Sequence, residues 1–383
     1  MTNEVFVNRL ALFLPNPPVD NGQMEEILGR INGQPSRSRK LILRSNGIKT
    51  RYYVLDPDGG PPRYDNAGLT AAAVRGLTGE GFSLEQLQLL CCGTSTPDQL
   101  LPSHGVMVHG LLGCGPLEVV STAGVCMSGL AALKYGYLAV RSGETGTAVA
   151  TGSEVASTFM QAKAFAPESS AKLAALAQRP EIAFDHEFLR WMLSDGAGAA
   201  LLGAHPGRPG HSLRIDWIES LSYAHEHPAC MYAGAEKAPD GRLIGWRELP
   251  DLEQAVRRSV FAIHQDVRLL NEQIVHTAIE TALAEVVRRR GLAPDQVDWF
   301  LPHMSSEFFR EPLAAGLERI GFALPMERWY TNLAATGNIG SAALYAMLAG
   351  LLDSGRLRRG HRLLVMIPES GRFAVGYVHL TVV

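Results

Sequence analysis

The chain has 383 residues, 46% of them apolar and 19% charged, with a formal net charge of −3 at pH 7. That balance supplies a core for one large or two mid-sized domains and argues against a basic nucleic-acid binder. The five cysteines are odd in number and have no zinc-ligand spacing, which argues against a disulfide framework or a structural zinc site and fits a reducing compartment.

The first residues, MTNEVFVNRLALFLPNPP, carry Glu4 and interrupt their apolar run at Arg9, Asn16 and Pro17. They make a poor signal peptide, and no uncharged apolar run reaches membrane-spanning length, so the expected location is the cytoplasm. Arg37, Arg39, Lys40, Arg44, Lys49 and Arg51 form a basic stretch, read as a solvated face or a dock for an acidic partner. Gly81–Thr96 (GFSLEQLQLLCCGTST) reads as a turn, a buried strand and a loop. Leu117–Thr122 (LEVVST) is a second strand, running through a tight Ala123-Gly124 turn into Cys126. Cys126–Gly143 is a long apolar stretch rich in Ala and Leu that ends in Ser-Gly, so it is a buried helix with Cys126 at its start. A thiol there feels the positive end of the helix dipole, which lowers its pKa, and free backbone N–H groups can hold an oxyanion. The small neighbours Ala123, Gly124, Ser128 and Gly129 leave room for a substrate. Against this stands the ordinary fate of a free cysteine as a small buried hydrophobe, the reading given to Cys91, Cys92 and Cys114. Thr147–Glu154 is a strand that ends in an acid.

The segment 205–212, rich in Pro, Gly and His, reads as a joint. His225, Glu226 and His227 suggest a metal but lack a third ligand, and Cys230 after them reads as loop-exposed. Arg288, Arg289 and Arg290 form a second basic stretch. Gly291–Ser306 (GLAPDQVDWFLPHMSS) then repeats the pattern of Gly81–Thr96. His303 follows its strand, Val297–Leu301, at the end where functional residues of α/β sheets gather. Asn338–Gly355 repeats the helix pattern of Cys126–Gly143, which sets Cys126 and Asn338 at equivalent helix starts, although an Asn there is often only an N-cap. Arg362–Glu369 is the matching final strand. Two matches at nearly one offset point to duplication of an α/β unit with parallel sheets, residues 1–205 and 213–383 being the halves.

Six stretches in order are similar to the β-ketoacyl-acyl-carrier-protein synthase III group of the thiolase superfamily. They are SNGIKTRYY (Ser45–Tyr53), GTSTPDQLLPSHG (Gly93–Gly105), GVCMSG around Cys126, SDGAGAALL (Ser194–Leu202), LPHMSSEF around His303 and GNIGSAA around Asn338. The resemblance implies a five-layered αβαβα thiolase fold, a homodimer and a Cys126–His303–Asn338 centre. It implies substrates carried on the phosphopantetheine of an acyl carrier protein or coenzyme A, with no cofactor and no metal. Cys126 would take up an acyl chain, with its own N–H and a donor near Gly371 as oxyanion hole. His303 and Asn338 would then stabilise the enolate of a second thioester. A β-ketoacyl donor must lose a proton, for which Glu154 is the candidate base and Glu307 and Glu369 are weaker ones. The chain departs from the group in an insertion at 159–190, in HMSSEFF for the usual His-Gln-Ala-Asn, and in Ser45 where an Arg clamps coenzyme A. These departures favour a carrier-protein substrate and look most like ketosynthases of dialkylresorcinol, cyclohexanedione and bacterial stilbene pathways, which join two acyl chains and close a ring. The other readings are an acyltransferase on the same fold, making an ester or amide, and an inactive partner subunit of a ketosynthase heterodimer.

Overall fold

The computed structural model describes residues 2–36, 38–165, 188–207 and 212–383. Nine strands form one sheet: β1 (Phe6–Phe13), β2 (Leu89–Thr94), β3 (Glu118–Ala123), β4 (Thr147–Glu154), β5 (Gly196–Gly203), β6 (Leu213–Ser222), β7 (Trp299–Pro302), β8 (Arg362–Glu369) and β9 (Ala374–Val382). Their order is β7-β8-β9-β6-β1-β5-β4-β2-β3. Going outward from the middle, β1, β5, β4 and β2 are matched by β6, β9, β8 and β7. The pairing directions repeat too: antiparallel, antiparallel, then parallel on both sides. The position of β3 is echoed on the other side by a single parallel bridge between Phe300 and Trp329. The sides join where Phe6 and Val7 of β1 pair with Arg214 and Leu213 of β6.

The sheet is mixed, where the alternation of strands and helices suggested parallel strands alone. The exception arises at β5 and β9. β9 follows β8 after the four residues 370–373, too short a connection for a crossover helix, so the chain must turn back antiparallel. The joint expected at 205–212 falls between β5 and β6, with 208–211 outside the described residues. The insertion expected at 159–190 lies largely outside them as well.

Helices layer on this sheet. Residues alternate along a strand, and here both faces are dry. Cys91, Ala148, Leu202, Val365 and Val378 face a central cluster built around α3 (Met127–Ser142) and α6 (Ala343–Asp353). Cys92, Val149 and Leu201 face an outer cluster with α1 (Asn66–Arg75) and α2 (His104–Leu112). Phe300, Leu364 and Met366 face the opposite outer cluster with α4 (Val267–Val275) and α5 (Arg310–Arg319). Outer helices, sheet, central helices, sheet, outer helices give the αβαβα layering. Truncating any of the fully buried leucines to Ala removes about 2–5 kcal/mol of stability.

The helix α3 and the turn before α6 approach more closely than side chains allow. A Cβ on Gly129 of α3 would lie 2.1 Å from the Ser341 carbonyl oxygen, and one on Gly152 of β4 would meet the same atom at 2.1 Å. Gly129 is therefore a packing requirement where the two sides of the molecule cross, and not the substrate clearance read from the sequence.

Candidate active site

The strand β3 ends in Ala123, and Gly124 turns the chain with φ 147°, in a region open only to glycine. Cys126 follows as the N-cap of α3. The helix forms because Met127, Leu130, Leu133, Tyr137 and Val140 fall on a buried face, and it stops at Gly143, left-handed at φ 82°. His303 stands immediately after β7, its backbone N–H donating to Met366 O of β8 at 2.8 Å. Its Nε2 lies 3.2 Å from Cys126 Sγ. Both side chains are buried.

Asn338 sits before α6 and does not start it. Gly340 has φ 51°, a short 3-10 turn spans Gly340–Ala342, and the α-helix begins at Ala343. Asn338 Oδ1 accepts from Gly340 N–H at 3.0 Å. Its backbone is pinned by Asn338 N–H donating to Met192 O and Ser194 N–H donating to Asn338 O, both at 2.9 Å. With Oδ1 engaged, the NH₂ end of the amide is available to the site. Two cavities meet here, both lined by Cys126, Asn338 and Met231. The first, about 50 Å³, includes His303 and is walled chiefly by apolar residues such as Leu189, Met192, Leu270, Ile274 and Phe309. The second, about 210 Å³, carries Ser95, Thr96 and Glu154 beside Phe159, Tyr232 and Ile263.

Burial pushes the Cys126 thiol far above its usual value, with the carboxylates of Glu369 and Glu154 adding to the shift. The lowering expected from the helix dipole is thus outweighed at rest. Burial also holds His303 down to about 4, so the imidazole is neutral. The resting pair is a thiol and a neutral imidazole at hydrogen-bond distance.

Glu154 ends β4 inside the second cavity. Its carboxylate accepts from the Ser95 and Thr96 hydroxyls and from Ser341 N–H. Burial raises its pKa against those hydrogen bonds. The weaker base candidates are elsewhere. Glu307 pairs with Arg310 at 2.6 Å and packs against Gly47, and lines neither cavity. Glu369 lies behind the Gly124–Val125 turn and is likewise off both walls. Gly371, expected near the oxyanion, also lines neither cavity: its carbonyl accepts from Cys230 N–H and Met231 N–H, and Ser370 stands on the wall of the first cavity in its place.

Cys230 is wholly buried, contrary to the loop-exposed reading, because its thiol packs between Gln265 and the Asp266 carbonyl. Cys91 and Cys92 are buried in β2, as read. His227 bonds Thr277 and His225 pairs with Glu226; among the described residues no group of three metal-capable side chains forms. Ser45 spends its hydroxyl on its own helix, donating to Leu41 and Ile42 carbonyls, and presents no cation. The sequence reading missed Met231, common to both cavities; an isolated Met in an irregular stretch gives no periodic signal.

Residues 287–377 match the family model described as 3-oxoacyl-[acyl-carrier-protein (ACP)] synthase III C terminal. A β-ketoacyl-[acyl-carrier-protein] synthase III 2 of Deinococcus radiodurans is 27% identical over 327 residues, 85% of this chain and 83% of that one. A β-ketoacyl-[acyl-carrier-protein] synthase III of Chlorobium luteolum is 24% identical over 97% of this chain and 96% of its own. Among solved structures, AbyA1, a tetronic acid condensing enzyme, superposes with a TM-score of 0.74 at 22% identity, covering 98% of this chain and 99% of its own. OleA of Xanthomonas campestris gives 0.70 at 18% identity, covering 99% and 98%. The fold is the one seen in solved 3-oxoacyl-[acyl-carrier-protein] synthase III structures, which superpose with a TM-score of 0.68 at 18–22% identity. In sequence the chain is similar to β-ketoacyl-acyl-carrier-protein synthase III proteins over most of its length.

Proposed function

We propose that the chain is a ketosynthase that joins two acyl thioesters by a Claisen-type condensation through an acyl-Cys126 intermediate. The carrying observation is that two cavities share Cys126 and Asn338 on their walls, with His303 3.2 Å from Cys126 Sγ on the first and Glu154 on the second.

In the first half-reaction Cys126 Sγ attacks the thioester carbonyl as its proton passes to His303 Nε2. The neutral imidazole is suited to accept it, and the oxyanion rests on the Cys126 N–H. Collapse breaks the thioester C–S bond, and the leaving thiolate takes the proton from His303, which returns to neutral. In the second half-reaction the neutral imidazole acts in its other tautomer, reached by exchange with solvent, so that His303 Nε2–H and the Asn338 amide donate hydrogen bonds to the carbonyl of the second thioester. The resulting enolate carbon attacks the acyl-cysteine, forming the C–C bond and releasing Cys126 Sγ. A malonyl donor would generate its enolate by losing carbon dioxide. A β-ketoacyl donor would give its proton to Glu154, whose place in the second cavity favours this donor.

The donors are read as carrier-protein thioesters, in keeping with Ser45, and the product as a precursor that can close to a dialkyl-cyclohexanedione or resorcinol. No resident cofactor enters this chemistry. The enzyme is read as a cytoplasmic homodimer. Among the described residues no helix is long and apolar enough to cross a membrane. Incubation with acyl- and β-ketoacyl-pantetheine mimics should give a product whose mass is the sum expected for carbon–carbon joining. An ester or amide instead would overturn the condensation. Intact-protein mass should show acylation of the wild type and none of Cys126→Ala; continued acylation of that variant would remove Cys126 as nucleophile.

A further inference from the structure

Glu369 ends β8, the strand beside the one that presents His303, and its side chain reaches the start of the nucleophile helix. The carboxylate accepts from Val125 N–H at 3.3 Å and is held also by Met127 N–H. It thereby takes the donors on either side of Cys126 and leaves the Cys126 N–H between them outside its own set of partners. The fit is close on both flanks. A Cβ on Gly124 would lie 3.4 Å from Glu369 Oε2, and one on Gly371 would lie 2.9 Å from Oε1. Since the side chain lines neither cavity, it has no access to a substrate proton.

We infer that Glu369 is a positioning residue that keeps Cys126 protonated until a thioester arrives and aims the Cys126 N–H at the site of the oxyanion. This rests on Cys126 being the nucleophile. A negative charge at the helix start cancels part of the positive potential that would otherwise favour a thiolate. Exposed to a reducing and electrophile-rich medium, a thiolate would react at random. A thiol next to a neutral imidazole loses its proton only as the carbonyl is attacked. The titratable groups facing Cys126 are Glu369 from β8, Glu154 from β4 and His303 after β7, so the charge of Glu369 is one of two negative contributions. The raised pKa of Glu369 reflects its burial, and backbone N–H groups hold it as the anion.

The test is the pH profile of iodoacetamide alkylation at Cys126, read by peptide mass, on the intact protein. Glu369→Gln keeps an oxygen to accept from Val125 N–H but removes the charge. Its alkylation midpoint should fall by at least about half a pH unit, which raises the rate below the midpoint about threefold. Glu369→Asp keeps the charge and should hold the wild-type midpoint. An unchanged midpoint in the Gln variant, or an equal fall in both, overturns the inference, the second because packing and not charge would then be responsible. Should the Gln variant fail to fold, Glu369→Asp decides through kcat: retention of the charge should keep acyl loading within about threefold of wild type, and a collapse overturns the inference. Absence of any Cys126 labelling in the wild type would instead strike at the nucleophile itself, so the two failures are distinct.

Discussion

At the scale of single residues the site is defined by protonation. His303 stays neutral down to about pH 4, so it contributes no acid limb to activity in the ordinary range. Glu154 differs, since burial raises its carboxyl. As a base it must be ionised, so condensation with a β-ketoacyl donor should be full at neutral pH and fall as pH drops through that raised value, above the usual carboxylate range. Glu154→Gln should cut condensation about 100-fold or more, leave acyl loading of Cys126 within about threefold, and erase the limb. Equal loss of loading and condensation would show that Glu154 only supports the site. That Cys126, His303 and Asn338 come together at one cavity was expected from the sequence, each sitting where a strand or turn hands over to a small-residue stretch. The acidity of the thiol was not. A helix start reads as activating, and the depth of burial, with the three-dimensional placement of Glu369 and Glu154, reverses that expectation. For the second oxyanion donor, expected near Gly371, a loop motif gives only the neighbourhood: Ser370 rather than Gly371 is on the wall of the first cavity.

At the scale of elements, the strands at Thr147–Glu154 and Arg362–Glu369 have the boundaries read from the sequence, because their apolar runs are bounded by turn residues and buried on both faces. The α-helix after Asn338 starts later than expected because Gly340 takes a left-handed backbone, φ 51°, that a right-handed α-helix does not accommodate. Its position is set by Glu154, against whose side chain a Cβ at 340 would lie at 2.7 Å. The base candidate and the amide are thus held in one contact. The crossing of α3 with the turn before α6 is the most constrained junction. Gly129→Ala forces a methyl group onto the Ser341 carbonyl, a backbone atom that cannot rotate away. The variant should lose more than about 3 kcal/mol of stability, seen as a Tm lowered by about 5 °C or more. Since the crossing also fixes Cys126 relative to Asn338, its alkylation and loading rates should fall even in the folded fraction. An unchanged Tm would mean the helices can part without cost, and the central layer would then not be the rigid frame described.

For the whole molecule, the repeated strand order explains how residues distant in the chain come together: Cys126 from one side and His303 and Asn338 from the other meet where the central helices cross. It also leaves an end exposed. Among the described residues the strand β3 is the last of the sheet, with an unpaired outer edge, and no helix or loop cover for that edge was evident from the sequence. Around it the surface is unusually apolar for a monomer. Leu100 and Leu101, in the loop before α2, are 77% and 85% exposed, and Val106 and Leu111 on α2 and Tyr135 and Leu138 on α3 are also open. Both α2 and α3 pack on β3, so these side chains belong to one end of the molecule. A bare edge strand flanked by leucines is a pairing hazard unless a partner covers it, and a second copy presenting the same edge antiparallel would satisfy both at once through a two-fold axis. Light scattering behind a sizing column should therefore give twice the 41.4 kDa chain mass at micromolar concentration. Leu101→Asp combined with Leu111→Asp should shift the species toward the chain mass while leaving far-UV circular dichroism unchanged, because neither leucine belongs to a buried cluster. A wild type that elutes as a monomer, or a double variant that remains dimeric, would place the contact elsewhere and leave the edge of β3 to be guarded by its own charge and twist.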